Sequence, residues 1–139
     1  MADETNQIRV RLVTPERTLF EQTAEAVELP SKTGYFEVLY GHAPLVAELG
    51  AGDVIVHGAS QDGPARFNVS WGFAEVLPDR VTILANNAQK PGEINLGQAE
   101  QQLDEGLKMW KEAGESVDAY DDALRVIAEA ESKIASSKQ

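Results

Sequence analysis

Val81-Thr82-Ile83-Leu84-Ala85 leads through Asn86-Asn87-Ala88-Gln89-Lys90 into Pro91-Gly92, and beyond it Ile94-Asn95-Leu96-Gly97-Gln98-Ala99 opens a different pattern. Before the proline, Val81, Ile83 and Ala85 alternate with Thr82 and Leu84, the two-residue period of a half-buried strand. After it, Leu96, Ala99, Leu103, Leu107 and Trp110 fall three or four apart, the period of a helix with one apolar face. The chain therefore divides near Pro91-Gly92 into a β domain over residues 1–90 and a helical segment over 93–139.

Working back from the division, Ile8, Val10 and Leu12 alternate with Arg9 and Arg11. Further short strands are expected around Ala26 to Leu29, Tyr35 to Leu39, Asp53 to His57, Arg66 to Val69 and Phe73 to Leu77. Turn formers such as Asp62-Gly63-Pro64 and Pro78-Asp79 separate them. Short, regularly punctuated strands of this kind predict an all-β sandwich or barrel. Val54-Ile55-Val56 is apolar on both faces, so it is either a central strand or one whose outer face meets another protein. Working forward, a second stripe of Tyr120, Ala123, Ile127, Ala130 and Ile134 predicts a second helix. Asn95 and Ser116 or Asp118 supply caps, and Gly114 the left-handed residue that ends the first helix. Two helices joined by so few residues fold back as an antiparallel hairpin. Its own apolar area is small, which leaves open whether it is a mobile arm or is permanently packed.

The 139 residues are 42% hydrophobic, enough for a real core, and carry a formal charge of -11. That charge argues against nucleic acid or an anionic membrane as partner, since phosphates are bound by clustered Lys and Arg. There is no cysteine, hence no disulfide, thiolate catalysis or Cys-ligated zinc. The polar start Met1-Ala2-Asp3-Glu4 resembles neither a secretory signal nor a transit peptide, and no apolar run approaches the ~20 residues of a membrane helix. A membrane link is therefore expected only through a partner. His42 and His57 are the only imidazoles, and neither has a second His or Cys at ligand spacing, so no metal site is expected. Glu25, Glu28, Asp121, Asp122, Glu129 and Glu131 fall at exposed phases, where a solvated face explains them better than acid–base chemistry. No phosphate loop, nucleophile elbow or dinucleotide fingerprint occurs. These exclusions favour a non-catalytic interaction subunit.

Three signatures in order, Thr14-Pro15-Glu16-Arg17, Gly41-His42-Ala43-Pro44-Leu45 and Gly72-Phe73-Ala74-Glu75-Val76, closely resemble the N-terminal domain of the epsilon subunit of F-type ATP synthase, called delta in mitochondria. The resemblance extends through the helical tail. It implies a β-sandwich that binds the gamma subunit and rests on the ring of c subunits, turning with the rotor at the cytoplasmic side of a bacterial inner membrane or its organellar equivalent. Ser31, Lys32, Thr33, Gly34 and Tyr35, with Gly41, His42, Ala43 and Pro44, match the part of the pattern that faces the c ring. For His42 a loop-stabilising hydrogen bond is the equal alternative. The chain has Glu37, Tyr40 and Trp71 where the family usually has glycine, proline and glycine. Tyr40 and Trp71 either fill core space or anchor gamma, and Glu37 must face solvent or a basic partner.

The resemblance also implies a regulatory hairpin. In some members an aliphatic-Asp-x-x-Arg-Ala pattern at the start of the first helix helps bind ATP. Here Ile94 and Ala99 are kept, but Asn95 and Gln98 replace the acid and the base, which argues against ATP as a cofactor. In inhibitory members a basic second helix meets acidic segments of the catalytic alpha and beta subunits. This helix instead has Asp118, Asp121, Asp122, Glu129 and Glu131 against Arg125, Lys133 and Lys138. Inhibition is expected to be weak, or to use Arg125 and the apolar stripe. A ligand-binding β-sandwich with a helical oligomerisation tail shares these periodicities, and a small enzyme built on scattered carboxylates and His42 is the third reading.

Overall fold

The computed structural model describes residues 6–138. Two compact units divide at Lys90/Pro91. The first holds seven strands: β1 (Ile8–Val13), β2 (Thr18–Ala24), β3 (Ala26–Ser31), β4 (Gly34–Leu39), β5 (Leu45–His57), β6 (Ala65–Leu77) and β7 (Arg80–Gln89). Their order in the sheet is β2-β1-β7-β6-β5-β3-β4, antiparallel except for the β1–β7 pair. The 13-residue strands β5 and β6 pair along almost their whole length, and the sheet closes over one core as a β-sandwich, the expected fold. Ile8, Val10 and Leu12 from β1 meet Val27, Leu29, Val54, Val56, Val69, Val76 and Ile83, all essentially inaccessible to water. Each such side chain contributes about 1.5–3 kcal/mol, whereas an exposed ion pair such as Arg9–Glu21 contributes about 0–1, so burial decides the fold.

Two strands expected at Arg66 to Val69 and Phe73 to Leu77 are one strand, β6. Phe67 and Val69 face the core before position 71, whereas Ala74 and Val76 do so after it, a slip of one residue that reads as a break. β5 and β7 change face at the same level, from Leu49 to Val54 and from Ala85 to Ala88. At this corner the ladders leave Gly50, Trp71 and Asn86 unbridged. Trp71 holds a left-handed φ of 59°, and a Cβ on Gly72 would strike the Leu84 carbonyl. Strands that change sheets bend at such points.

Two smaller differences have local causes, and one of two open readings is selected. β2 was not expected, because only Ala24 in it is fully buried and no alternation shows. β5 begins at Leu45 instead of Asp53, its first half being largely exposed. Val54-Ile55-Val56 resolves as an interior strand, between β3 and β6.

The second unit opens with a short 3-10 turn at Pro91–Glu93 and continues in α1 (Leu96–Glu112) and α2 (Val117–Ser137), the expected antiparallel hairpin. Asn95 caps α1, its Oδ1 accepting from the Gln98 N–H at 3.0 Å, and Ser116 caps α2 through the Ala119 N–H at 3.2 Å. Gly114, at φ 59°, ends the first helix. The seam keeps Ala99, Ala123 and Ala130 of the expected stripes and departs from them elsewhere. Leu96, Leu107, Trp110 and Tyr120 are exposed, while Gly106 and Ala113 are buried beside the three alanines. A Cβ on Gly106 would lie 2.8 Å from Ile127 Cγ1, so the helices approach too closely for large side chains there. Glu129, expected on a solvated face, is largely covered and pairs with Lys133 at 3.1 Å.

Candidate functional site

Two of the expected contact loops lie at one end of the sandwich. Ser31-Lys32-Thr33-Gly34 is the tight turn between β3 and β4, and Gly34 takes the φ of 128° that a side chain disfavours. The Ser31 hydroxyl accepts from the Thr33 N–H at 3.2 Å and donates to the Gly34 carbonyl at 2.5 Å. Lys32 is fixed to β5 by its N–H on the Glu48 carbonyl at 3.0 Å. The second loop joins β4 to β5. There the Gly41 N–H donates to the Pro78 carbonyl at 2.7 Å, the His42 N–H donates to the Leu39 carbonyl at 3.1 Å, and Pro44 restricts the chain into β5.

The Ser31–Tyr35 turn and His42 meet around a surface pocket of about 530 Å³, completed by Phe36 and the start of β5 from Leu45 to Glu48. His42 makes a contact within its own loop, its Nδ1 standing 2.7 Å from the Ala43 carbonyl oxygen, with its ring 6.5 Å from that of Phe36. Tyr35 is 59% exposed, yet its hydroxyl accepts the Asp53 N–H at 2.9 Å, and Gly52 leaves room for its ring. Below it Arg66 and Asn68 both donate to the Asp53 carboxylate, at 2.9 and 3.1 Å, which compensates that buried charge.

Gly41, Ala43 and Pro44 flank the pocket without lining it. Tyr40 is exposed beyond β4, and Trp71 sits half-buried at the β6 corner, so the structure does not gather these two aromatics into the same pocket. Sequence reasoning missed Leu45 and Val46, the latter 69% exposed, although both directly follow the Gly-His-Ala-Pro loop. It also missed the pair Phe73 and Leu84, 55% and 50% exposed and directly opposite each other on β6 and β7. Glu48 is the β5 partner of Phe73, so the pocket wall runs into an apolar row on the outer sheet face. The two charged-to-amide differences at the hairpin start have ordinary structural roles: Asn95 is a cap and Gln98 its exposed donor. Arg125 is exposed on α2.

A second cluster lies on the outer face of β3, β4 and β5. Glu28 and Glu37 are directly opposite each other, and His57 Nε2 is 2.6 Å from Glu28 Oε2. Glu28 is thus half-buried and bonded, instead of lying on a solvated face, whereas Glu37 is exposed as its charge demands.

Among the described residues no helix is long and apolar enough to cross a membrane. Residues 7–91 match the family model described as ATP synthase, Delta/Epsilon chain, beta-sandwich domain. An ATP synthase epsilon chain from Koribacter versatilis is 42% identical over 91 residues, covering 65% of this chain and 62% of that one. The chloroplastic epsilon chain of Porphyra purpurea is 34% identical over 109 residues, covering 78% and 80%. In fold, the chain is similar to one in the Euglena gracilis mitochondrial ATP synthase OSCP/F1/c-ring structure, with a TM-score of 0.78 at 21% identity over 94% of this chain and 81% of that one. It also matches a chain of the Tetrahymena thermophila central stalk/c-ring structure, with a TM-score of 0.70 at 12% identity over 94% and 96%. Together with its seven-stranded sandwich and helical hairpin, the matched domain shows that this chain belongs to the delta/epsilon-chain family of F-type ATP synthase, as an epsilon subunit.

Proposed function

We propose that the chain is a non-catalytic rotor subunit that couples the c ring to gamma at the cytoplasmic side of a bacterial membrane. The observation that carries this reading is the pair of pinned loops around the 530 Å³ pocket, Ser31–Tyr35 and Gly41–Pro44, beside an exposed apolar row. A torque joint needs contact loops that do not flex, and backbone hydrogen bonds to β5 and to the β6–β7 turn supply that stiffness. The loops meet the c ring. Phe73 and Leu84, with Trp71 and Tyr40, offer gamma a surface of the aromatic and aliphatic kind that anchors protein interfaces. The test is capture of purified gamma and c ring by the full-length chain. Both are expected to bind, with Phe73→Ser reducing gamma binding at least tenfold and Lys32→Glu reducing c-ring binding. A chain that captures neither contradicts the proposal, and saturable binding of a small metabolite together with self-association in its place favours the ligand-binding reading.

The hairpin is a weak regulatory arm in this proposal. Its second helix has five acids against two bases, with Lys138 just beyond its end, and Glu129 already engages Lys133, so attraction to acidic catalytic subunits is poor. ATP hydrolysis by complexes with a chain ending at Gly92 is expected to stay within about twofold of that with the full chain. A several-fold rise contradicts this part.

A further inference from the structure

We propose that Glu28, Glu37 and His57 form a surface site for a divalent transition metal, zinc being the ion the donors suit best. Reading along the sequence for paired His or Cys could not reveal it, because the three donors come from three strands. Antiparallel pairing sets Glu28 opposite Glu37, and β5 brings His57 beside Ala26, two residues from Glu28. The three donor atoms lie within 4.8 Å of one another.

Two features go beyond proximity. Like charges directly across a strand pair are unfavourable, and among the described residues no Lys or Arg forms an ion pair with either carboxylate. A divalent cation relieves that repulsion where one imidazole supplies at most a single charge. The donor set is also selective, since imidazole nitrogen with carboxylate oxygen suits zinc, whereas magnesium and calcium prefer oxygen alone. Around a tetrahedral ion with bonds near 2.1 Å, ligand atoms stand about 3.4 Å apart, so the trio adjusts by roughly an ångström or a little more. Glu37 is exposed and the other two are half-buried, so their side chains have that freedom and the fourth position opens to water.

Calorimetric titration of the full-length chain with zinc chloride, in buffer containing millimolar magnesium, tests the site. Expected is one saturable site, at least tenfold weaker in Glu37→Gln and in His57→Gln and unchanged in His42→Gln. Absence of saturable binding, equal affinity in all variants, or displacement of zinc by the magnesium overturns the proposal. Glu37→Gln alters an exposed side chain and leaves the core intact, so its thermal melting gives a second reading. Zinc is expected to raise the melting temperature of the parent chain and not of this variant, and a shift retained in Glu37→Gln also overturns the site.

Discussion

Lys32 is tied to Glu48 twice: its backbone N–H donates to the Glu48 carbonyl at 3.0 Å, and its ammonium lies 3.0 Å from the Glu48 carboxylate. The first tie belongs to the backbone and survives any substitution except proline. The second is half-exposed on both sides. Lys32→Met therefore leaves stability within about 1 kcal/mol of the parent in denaturant titration. Binding to the c ring is expected to weaken, because the charge at the tip of the turn is gone. Unchanged c-ring affinity removes Lys32 from the contact surface.

At the corner of the sandwich, Gly72→Ala combines a φ of 125° with a Cβ driven into the Leu84 carbonyl. A loss of about 3 kcal/mol or more is expected in urea unfolding. Ser70, two residues earlier, is fully buried and its hydroxyl has no partner, so Ser70→Ala is expected to stabilise by about 1 kcal/mol.

Gly106→Leu puts a branched side chain where even a Cβ would come within 3.2 Å of the Ile127 backbone nitrogen. Both helices have their own caps, so the expected effect is separation of the seam, with loss of helical circular dichroism or of amide protection in residues 96–137. Protection in the β domain is expected to persist. A variant as protected as the parent throughout contradicts the assigned seam.

Asn95→Ala is expected to destabilise α1 by about 1 kcal/mol through loss of its cap. Millimolar ATP is expected to leave the melting temperature of the parent chain unchanged within about 1 °C, because binding to the folded state alone would raise it. A saturable rise of several degrees shows a nucleotide site at the hairpin.

Much of this fold was legible because its signals are local. Asn95, Ser116 and Gly114 do within three or four residues what their chemistry favours, and Ile8, Val10 and Leu12 alternate without interruption. What was hidden depended on distant neighbours. The face change at Trp71 looks like a gap between strands until β5 and β7 are seen to bend beside it. The helix seam was legible at Ala99, Ala123 and Ala130 but not at Gly106 and Ala113, because hydrophobicity points to Leu107 and Trp110 whereas close packing selects small residues. Of the site, the two loops were found through resemblance and meet as neighbours, but the Phe73–Leu84 row and the Glu28–Glu37–His57 cluster needed the strand register.

The coupling claim is tested most directly by ATP-driven proton pumping in vesicles that hold the remaining subunits of the parent ATP synthase, with and without this chain. Pumping is expected to require the chain and to fall when both Lys32→Glu and Phe73→Ser are present. Equal pumping in its absence contradicts a role in joining the c ring to gamma.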